Sequence, residues 1–442
     1  MHDSSGTLKS AQDTAPHRAQ PLDRAIIQDY VRQQLARREA FLETRRRYGS
    51  PLYVLDTKNL QGRAEEFRNT FRSKLPDVAF YYAMKSNNHP AISRILMKCN
   101  YGLDVSSGEE LNQAIGLGAT DIIFSGPGKT RDELALAVKH AEKVTVLLDS
   151  FGELERLETV AAKAGREIRA GVRLCTEENG LWRKFGIPLS QLAAFLGKAR
   201  ARSHVALCGL QFHISWNLNP APQIAFLRRL GEILKSMDNL DRQRMSFLDI
   251  GGGYWPPDGE WRQFPDSGGS TEPDGINGVH CPRHHYYHPA EPITSFADQI
   301  ARAVGETVYP HVRCTICLEP GRWLCHDAMH IVLTVIDKKA DDLVITDGGT
   351  NAVGWERFET DYFPVINLTR PGLFEQRCLI AGSLCTPHDI WGYGYWGRMI
   401  EAEDVLVVPS QGAYTYSLRQ NFIKPVPRVV MIGRNAEERQ QY

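Results

Sequence analysis

The sequence has no excess of charge of either sign. Its 52 lysine and arginine residues balance 52 aspartate and glutamate residues, so the formal net charge is zero. Without a basic surplus or a block of like charge, the composition argues against a protein that binds nucleic acid. The chain also lacks an apolar run of about 18 residues, which argues against a membrane-spanning helix.

A secretory signal is missing as well. Residues 1–21 are polar and have no apolar core segment, so they predict a disordered lead-in to the folded chain. The nine cysteines are an odd number spread along a long chain. We therefore expect free thiols and a cytoplasmic location rather than a disulfide framework.

Regular metal-ligand spacing is scarce. The cysteines at positions 314 and 317 have CxxC spacing, but they lie in an apolar, strand-like stretch and no second pair follows. The loop-like segment 280–288 is rich in histidine without a regular spacing of ligands. Neither segment has the pattern of a zinc site, so no metal is predicted.

What the sequence does contain is a long alternation of two kinds of segment. Short apolar segments typical of strands alternate with segments typical of helices. Continuous apolar strands indicate a parallel sheet that is buried on both faces. Eight such units favour a closed (β/α)8 barrel, with a doubly wound open sheet as the alternative. The predicted strands cover residues 78–85, 101–107, 121–126, 144–149, 168–174, 207–214, 245–253 and 314–321.

The pattern changes after the eighth strand. Several short strand-like segments follow with little helix between them, which is typical of an antiparallel β domain. A helical segment at 22–48 and a strand-like segment at 51–56 precede the barrel, and the strand is expected to join the β domain. The predicted organisation is a lead-in at 1–21, a helix and strand at 22–56, a barrel at 57–322 and a C-terminal β domain at 323–442.

Reactive side chains follow the predicted strands. Lys85 ends an apolar strand, where a lysine is costly unless its charge is solvated, paired or used chemically. Because the carboxyl ends of barrel strands form one rim, the residues that follow them are expected to converge. Those residues are Lys85, Asp104, His213, the glycine triplet Gly251, Gly252 and Gly253, Glu319 and Arg322.

The chemistry of this set points to one kind of cofactor. A lysine amine attacks aldehydes, and bare glycine backbone approaches phosphate closely. A carboxylate that faces a pyridine nitrogen keeps that nitrogen protonated, and a flat histidine can stack on a ring. The set therefore suits pyridoxal 5′-phosphate held as a Schiff base on Lys85.

The chain resembles the barrel-type (fold type III) pyridoxal-phosphate decarboxylases, the group of diaminopimelate, ornithine and arginine decarboxylases. The resemblance covers about residues 50–430. Eight short motifs occur in the family's order, and together they are far more specific than any one of them. The motifs are "YYAMKSN", "GLDVSSGEEL", "WRKFGI", "FHIS", "LDIGGGY", "LEPGR", "GSLCTPHD" and "QGAYTYS".

The resemblance implies roles on the cofactor side of the site. Lys85 would form the Schiff base and Asp104 would tune it. Glu319 would pair with the pyridinium nitrogen, and His213 would stack on the ring. The phosphate would be held by Gly251, Gly252, Gly253, Arg322 and Tyr414.

The resemblance also implies roles on the substrate side. Cys385 would return a proton to the substrate after CO2 leaves. Asp389, Thr386 and Tyr414 would face the substrate. In this family the cysteine and the aspartate reach the barrel of a second subunit, so a homodimer with shared sites is implied.

Three features depart from the family pattern. Thr386 replaces the acidic residue that usually follows the cysteine and neutralises a distal ammonium of the substrate. Ser215 and Trp216 replace a small Gly-Ser pair, which makes Ser215 the candidate for the phosphate contact of that pair. The segment 254–288 is a long insertion with no periodicity that carries Arg262 and Arg283, and its position after the seventh strand favours a functional loop.

These departures predict a decarboxylase for a modified or conjugated amino acid. Candidates are a citryl-linked diamino acid in siderophore assembly and an aminoacyl group on a carrier in secondary metabolism. The alternatives are diaminopimelate decarboxylase of lysine biosynthesis, an amino-acid racemase, and a cofactor-binding homologue without activity. The "GSLC" segment with Asp389 favours decarboxylation over racemisation.

Overall fold

The computed structural model describes residues 20–264, 275–276, 279–280, 282, 284–354 and 361–433. The predicted lead-in at 1–21 lies outside this range except for Gln20–Pro21, which forms a short strand. Arg283 also lies outside the described residues.

The predicted barrel is confirmed. Eight parallel strands follow one another around a closed sheet, and Ile316 of the eighth strand pairs with Val78 of the first. The apolar sequences of these strands are buried, as expected for a sheet covered on both faces. Barrel strands 1 to 8 are Val78–Ala83, Gly102–Val105, Ile122–Phe124, Val144–Leu148, Ile168–Arg173, Val205–Gln211, Phe247–Asp249 and Thr315–Leu318.

Helices connect the barrel strands and form its outer layer. Several begin at side-chain caps, since the hydroxyls of Ser107, Thr130 and Ser150 each accept a hydrogen bond from a backbone N–H of the first turn. Among the described helices, none combines the length and the apolar character that a membrane span requires. The helices of the barrel are Thr57–Arg72, Pro90–Lys98, Gly108–Gly116, Arg131–Lys139, Phe151–Ala164, Leu192–Arg200, Ala221–Ser236, Asn239–Arg244, Ile293–Thr307 and Arg322–Cys325.

The second domain is a β domain, but its sheet is mixed rather than antiparallel as predicted. Leu343–Thr346 runs parallel to Glu375–Ala381, and Leu52–Asp56 runs parallel to Arg428–Ile432. Local alternation of apolar residues cannot fix strand direction, because both kinds of ladder have the same side-chain period. Leu52–Asp56, from the segment before the barrel, pairs with Met329–Ala340 and with Arg428–Ile432 in this sheet. Its strands are Leu52–Asp56, Met329–Ala340, Leu343–Thr346, Ile366–Asn367, Glu375–Ala381, Ile390–Trp396, Val405–Val408 and Arg428–Ile432.

The N-terminal helical segment is two helices instead of one. Arg24–Ala36 and Arg38–Tyr48 are separated at Arg37, whose backbone leaves the helical region. Their apolar side chains, including Val31 and Phe41, are buried against the β domain.

The insertion is partly folded, which corrects the expectation of a loop. Glu260–Phe264 pairs antiparallel with His284–His288, and the latter strand also pairs with Gln20–Pro21. A two-stranded ladder joins Gly275–Ile276 and Val279–His280. The insertion contacts the β domain, since His285 Nε2 lies 3.1 Å from the carboxylate of Glu375.

Candidate active site

Lys85 lies in a 3-10 turn, Met84–Ser86, directly after barrel strand 1. Its Nζ donates to Oδ2 of Asp104 at 2.8 Å, and Asp104 comes from the adjacent strand 2 and is fully buried. Ser125, at the end of strand 3, donates to the other carboxylate oxygen of Asp104 at 2.6 Å. The side chain of Lys85 is 34% exposed. The amine is therefore held on one side by Asp104 and open to the rim on the other.

The charge state of Lys85 follows from its neighbours. Burial lowers the pKa of Lys85, but the carboxylates of Asp104 and Glu319 outweigh that effect and raise the pKa above its usual value. In the free protein the side chain is therefore an ammonium. It must lose a proton before it can attack an aldehyde.

Glu319 lies at the end of strand 8 and is buried. Its Oε2 lies 3.5 Å from Nδ1 of His213, and Gln211 donates to its Oε1 at 3.5 Å. Burial raises the pKa of Glu319, but His213, Lys85 and Asp249 overcome this and lower it to about 2. Glu319 thus stays a carboxylate, which is the form that can hold a protonated ring nitrogen.

His213 follows strand 6 and lies beside Glu319. Its Nε2 lies 3.2 Å from the hydroxyl of Ser215, and Gly252 N donates to its Nδ1 at 3.1 Å. Burial lowers the pKa of His213, so the ring is neutral near pH 7. A neutral imidazole held on both nitrogens presents a flat face in a fixed orientation.

The glycine triplet follows strand 7, and two of its members need glycine on conformational grounds. Gly251 has φ +69° and Gly253 has φ +84°, values that other residues rarely adopt. Space is also restricted. A Cβ on Gly252 would collide with the carbonyl oxygen of Glu319, and one on Gly253 would collide with that of Ile214.

Arg322 lies between two aromatic rings. Its guanidinium carbon is 4.3 Å from the centroid of Trp255 and 5.0 Å from that of Tyr414. Within the described residues it has no acidic partner. An arginine without a counter-ion, near bare glycine backbone, suits a phosphate group. The residues present therefore fit pyridoxal phosphate at both of its ends.

Tyr414 belongs to a C-terminal segment that is fastened to the lysine turn. Tyr414 N donates to Ser86 O at 2.7 Å, and Asn87 Nδ2 donates to Gly412 O at 2.9 Å. Tyr414 itself has φ +57°, an uncommon value for a bulky residue. The barrel thus fixes a residue that lies more than 300 positions away in the sequence.

Cys385, Thr386 and Asp389 lie together in the β domain, between strands Glu375–Ala381 and Ile390–Trp396. The side chain of Cys385 is exposed, whereas Asp389 is buried. Asp389 Oδ1 accepts from Thr350 N at 2.7 Å, and Oδ2 accepts from Leu384 N at 2.6 Å. The carboxylate of Asp389 thus fastens its own loop at Leu384 and joins that loop to Thr350, and its expected role towards the substrate stays a prediction.

Sequence reasoning missed four residues of the site. Asp249 and Gln211 contact Glu319, Ser125 contacts Asp104, and Trp255 contacts Arg322. Asp249 was detectable because it is a carboxylate at a strand end, two residues before the triplet. The other three give no signal in the sequence, since only the barrel geometry brings them to their partners.

Other candidates lie outside the site. Lys129, in the turn after strand 3, is buried and pairs with Glu153 at 2.6 Å, so it stabilises the barrel wall. Cys314 is buried beside strand 8 and Cys317 lies within it. In the part of the chain that the structure describes, no three His, Cys, Asp or Glu side chains form a metal-binding group. Cys281 lies outside the described residues.

The fold and this site are typical of a barrel enzyme that uses a phosphorylated aldehyde as its cofactor. Comparison with known proteins agrees. The pyridoxal binding domain of the pyridoxal-dependent decarboxylases matches residues 61–326. The chain belongs to this family, which confirms the predicted activity and cofactor: it is a pyridoxal-phosphate-dependent amino-acid decarboxylase.

Relatives with assigned activities are similar along most of their length. The chain is 25% identical to the L-glutamyl-[BtrI acyl-carrier protein] decarboxylase of Niallia circulans, over 84% of this chain and 86% of the relative. It is 27% identical to the diaminopimelate decarboxylase of Bacillus subtilis, over 87% of each chain.

Solved structures share the same fold. The diaminopimelate decarboxylase of Helicobacter pylori, complexed with L-lysine, superposes with a TM-score of 0.72 at 21% identity, covering 89% of this chain and 94% of the other. The lysine/ornithine decarboxylase of Vibrio vulnificus, complexed with putrescine, gives 0.68 at 20% identity, covering 89% and 98%.

Proposed function

We propose that this decarboxylase removes the α-carboxylate of a modified or conjugated amino acid, one without a free ammonium at its far end. The observation that carries the proposal is the neutral Thr386 next to Cys385. A distal ammonium bound there would have no carboxylate partner in its segment. Removing such a charge from water without a partner is unfavourable.

The contacts of the Cys385 segment support this reading. Asp389 is the one acidic residue among residues 380–392, and its oxygens accept from backbone N–H groups of Thr350 and Leu384. Its charge is therefore already compensated. Thr386 is half-buried, and its hydroxyl is 3.5 Å from His388 N.

An aromatic rim supports a bulky substrate. Trp216, three residues after His213, has φ +55° and a half-exposed side chain. Its ring packs edge-on against Trp182, which lies in the loop after strand 5, with centroids 6.3 Å apart. An exposed tryptophan held in a left-handed backbone conformation is an outlier that often marks a functional site. Two such rings offer apolar surface to a substrate larger than a free diamino acid.

The similarity to the Niallia circulans enzyme supports a conjugate rather than a free amino acid, because that relative's name places its glutamyl group on an acyl carrier protein. A citryl-linked diamino acid of siderophore assembly is the other conjugate we propose. The second candidate function is diaminopimelate decarboxylase. It is favoured by the similarity to the Bacillus subtilis enzyme and opposed by Thr386.

The geometry of the rim supports the roles that we propose on the cofactor side. Lys85 would hold the cofactor's aldehyde carbon, Glu319 its ring nitrogen and His213 its ring face. The phosphate would be held by Gly251, Gly252, Gly253, Ser215, Arg322 and Tyr414. When bound, pyridoxal phosphate supplies the electron-accepting ring that makes loss of CO2 possible. Asp104 would keep the amine of Lys85 oriented while its proton is moved.

The proton that replaces the carboxylate would come from Sγ of Cys385. The thiol is exposed and lies in the β domain, so we propose that it serves the barrel of a second subunit in a homodimer. Thr386 would then line the same shared site from the partner's side. Closure of the site by the second subunit would exclude water from the reacting carbon.

The experiment that tests the proposal is CO2 release by the purified enzyme over a panel of substrates. The panel contains meso-diaminopimelate, lysine, ornithine, glutamate, a citryl-linked diamino acid and aminoacyl thioesters of pantetheine. We expect a conjugate to give the highest kcat/KM. Efficient turnover of free meso-diaminopimelate above every conjugate would show the proposal to be wrong and the second candidate to be right.

A further inference from the structure

Three carboxyl groups meet at the base of the site with too few cations to balance them. Asp249 ends strand 7, Glu319 follows the adjacent strand 8, and Asp104 lies in strand 2, which strand 1 separates from strand 8; each is at most 2% exposed. Lys85 is the ammonium group in contact with this cluster, and it pairs with Asp104. All three carboxyl groups can be charged beside one ammonium only at a high cost in a buried site, so one of them is expected to carry a proton.

The contacts of Asp249 identify where a proton is needed. Its Oδ1 accepts from Gly251 N at 2.8 Å. Its Oδ2 is buried and has no N–H or hydroxyl donor facing it in the described part of the chain. The acidic group beside Asp249 is Glu319: Asp249 pairs with Cys317 of the adjacent strand, two residues before Glu319, and Glu319 N donates to Gly251 O at 2.9 Å. Two carboxyl groups form a hydrogen bond only when one of them carries a proton.

The neighbours decide which of the two holds it. The positive charge of Lys85 lowers the pKa of Glu319, and Glu319 accepts a hydrogen bond from Gln211, so both neighbours favour its charged form. Among the residues that the structure describes, no cation pairs with Asp249. Burial and the charge of Glu319 raise its pKa well above the usual range. Cys317 and Tyr254, which also surround Asp249, are neutral groups with raised pKa values.

We propose that Asp249 is a positioning residue that stays protonated and donates a hydrogen bond through its O–H to the carboxylate of Glu319. Asp249 does not touch the reacting atoms. Its O–H orients the carboxylate of Glu319, and its Oδ1 accepts a hydrogen bond from the backbone N–H of Gly251, the first residue of the glycine triplet. One buried acid would thus align the two ends of the cofactor site, the carboxylate for the ring nitrogen and the backbone for the phosphate.

The direct test is infrared spectroscopy of the cofactor-free enzyme at neutral pH. We expect a C=O stretching band of a protonated carboxylic acid that disappears in Asp249→Asn. Asp149→Asn is the matched control, because Asp149 is another buried aspartate but lies beside Arg173. The control should keep the band. If the carboxylic-acid band persists unchanged in Asp249→Asn, the proposal is wrong.

Isotope labelling keeps the test valid if the variant does not fold. Labelling aspartate side-chain carboxyls with ¹³C in the wild-type enzyme should shift the band, whereas labelling glutamate should not. A shift with labelled glutamate alone would place the proton on Glu319 and overturn the proposal.

A binding measurement separates positioning from mere packing. Asn can accept from Gly251 N and donate to Glu319, whereas Leu can do neither. We expect Asp249→Asn to bind pyridoxal phosphate within about twofold of wild type, and Asp249→Leu to bind it roughly tenfold more weakly. Equal affinities for the two variants, with matching melting temperatures, would contradict a role in holding Glu319. The substrate proposed above does not affect any of these readouts.

Discussion

Nζ of Lys85 lies 2.8 Å from Oδ2 of Asp104, and the two residues come from adjacent strands of the barrel. This ion pair explains why a lysine is tolerated at the end of an apolar strand. Its charge is compensated by a buried carboxylate, while a third of the side chain remains open to the rim. The same pair keeps the amine protonated until a cofactor arrives.

Replacing Lys85 tests covalent chemistry separately from charge. Lys85→Ala and Lys85→Arg should both abolish CO2 release, because neither side chain can bond to an aldehyde. Lys85→Arg keeps a cation beside Asp104, so its melting temperature should stay near that of the wild type. Mass spectrometry after borohydride reduction should show cofactor attached to the wild-type chain only. Attachment to Lys85→Arg would place the bond on another lysine.

Cys385 is expected to return the proton to the α-carbon. Cys385→Ala should lower kcat or change the product, because protonation would then depend on water. Product analysis by mass spectrometry in D2O measures both effects. Mixing Lys85→Ala with Cys385→Ala subunits should restore activity if the site is shared between subunits. Failure of the mixed sample to gain activity over either variant alone would argue for sites within single subunits.

Thr386 is expected to determine discrimination against free diamino acids. Thr386→Glu would supply a partner for a distal ammonium and should raise kcat/KM for meso-diaminopimelate by roughly tenfold. Thr386→Gln has nearly the same size without the charge, so it should not. A similar gain in both variants would mean that size, rather than charge, controls entry.

Gly252 tests the close packing of the triplet. Gly252→Ala places a methyl group against the carbonyl of Glu319 and should destabilise the fold by about 1–3 kcal/mol. Affinity for pyridoxal phosphate should fall with it. Gly128→Ala is the matched control, because a Cβ there meets no atom within 4 Å. Thermal unfolding and fluorescence titration with the cofactor measure the two effects.

His330 is expected to make stability depend on acid pH. Burial, together with the nearby Arg37, lowers the pKa of His330 to about 3. The unfolded chain binds this proton near pH 6.5, so the contribution to stability is complete above that pH. It is lost as the pH falls from about 6.5 to 3, and amounts to a few kcal/mol.

Thermal unfolding across this pH range measures the effect. His330→Gln should flatten the dependence of stability on pH, because glutamine does not titrate. His388→Gln, at an exposed histidine, should leave the slope unchanged. An unchanged slope in His330→Gln would assign the acid sensitivity to other groups.

Much of the fold was predictable because the strands are short, apolar and regularly spaced. Barrel strands 1 to 8 lie where the apolar segments are, within a few residues. The strand Ile390–Trp396 escaped prediction because two glycines interrupt its pattern. The insertion was also misjudged, since strand pairing between Glu260–Phe264 and His284–His288 depends on contacts rather than on local alternation.

The residues of the site also fall into those that the sequence predicts and those that only tertiary contacts reveal. Lys85, His213 and Glu319 were predictable as reactive residues at strand ends, where the barrel brings them to one rim. The partners of Asp389 were not predictable, because its motif does not reveal that its carboxylate accepts from the backbone N–H groups of Thr350 and Leu384. Trp255 carried no signal, since its ring matters only where Arg322 lies over it.

The amino-acid sequence by itself determined the kind of chemistry: a lysine, a glycine triplet and a glutamate at successive strand ends in a barrel pattern. Hydrophobic periodicity is local, so it can be read from the chain alone. The tertiary structure decided which carboxylates hold a charge, where Asp389 points and how the insertion folds. Those properties depend on burial and on partners that are distant in the sequence, and only the folded chain brings these together.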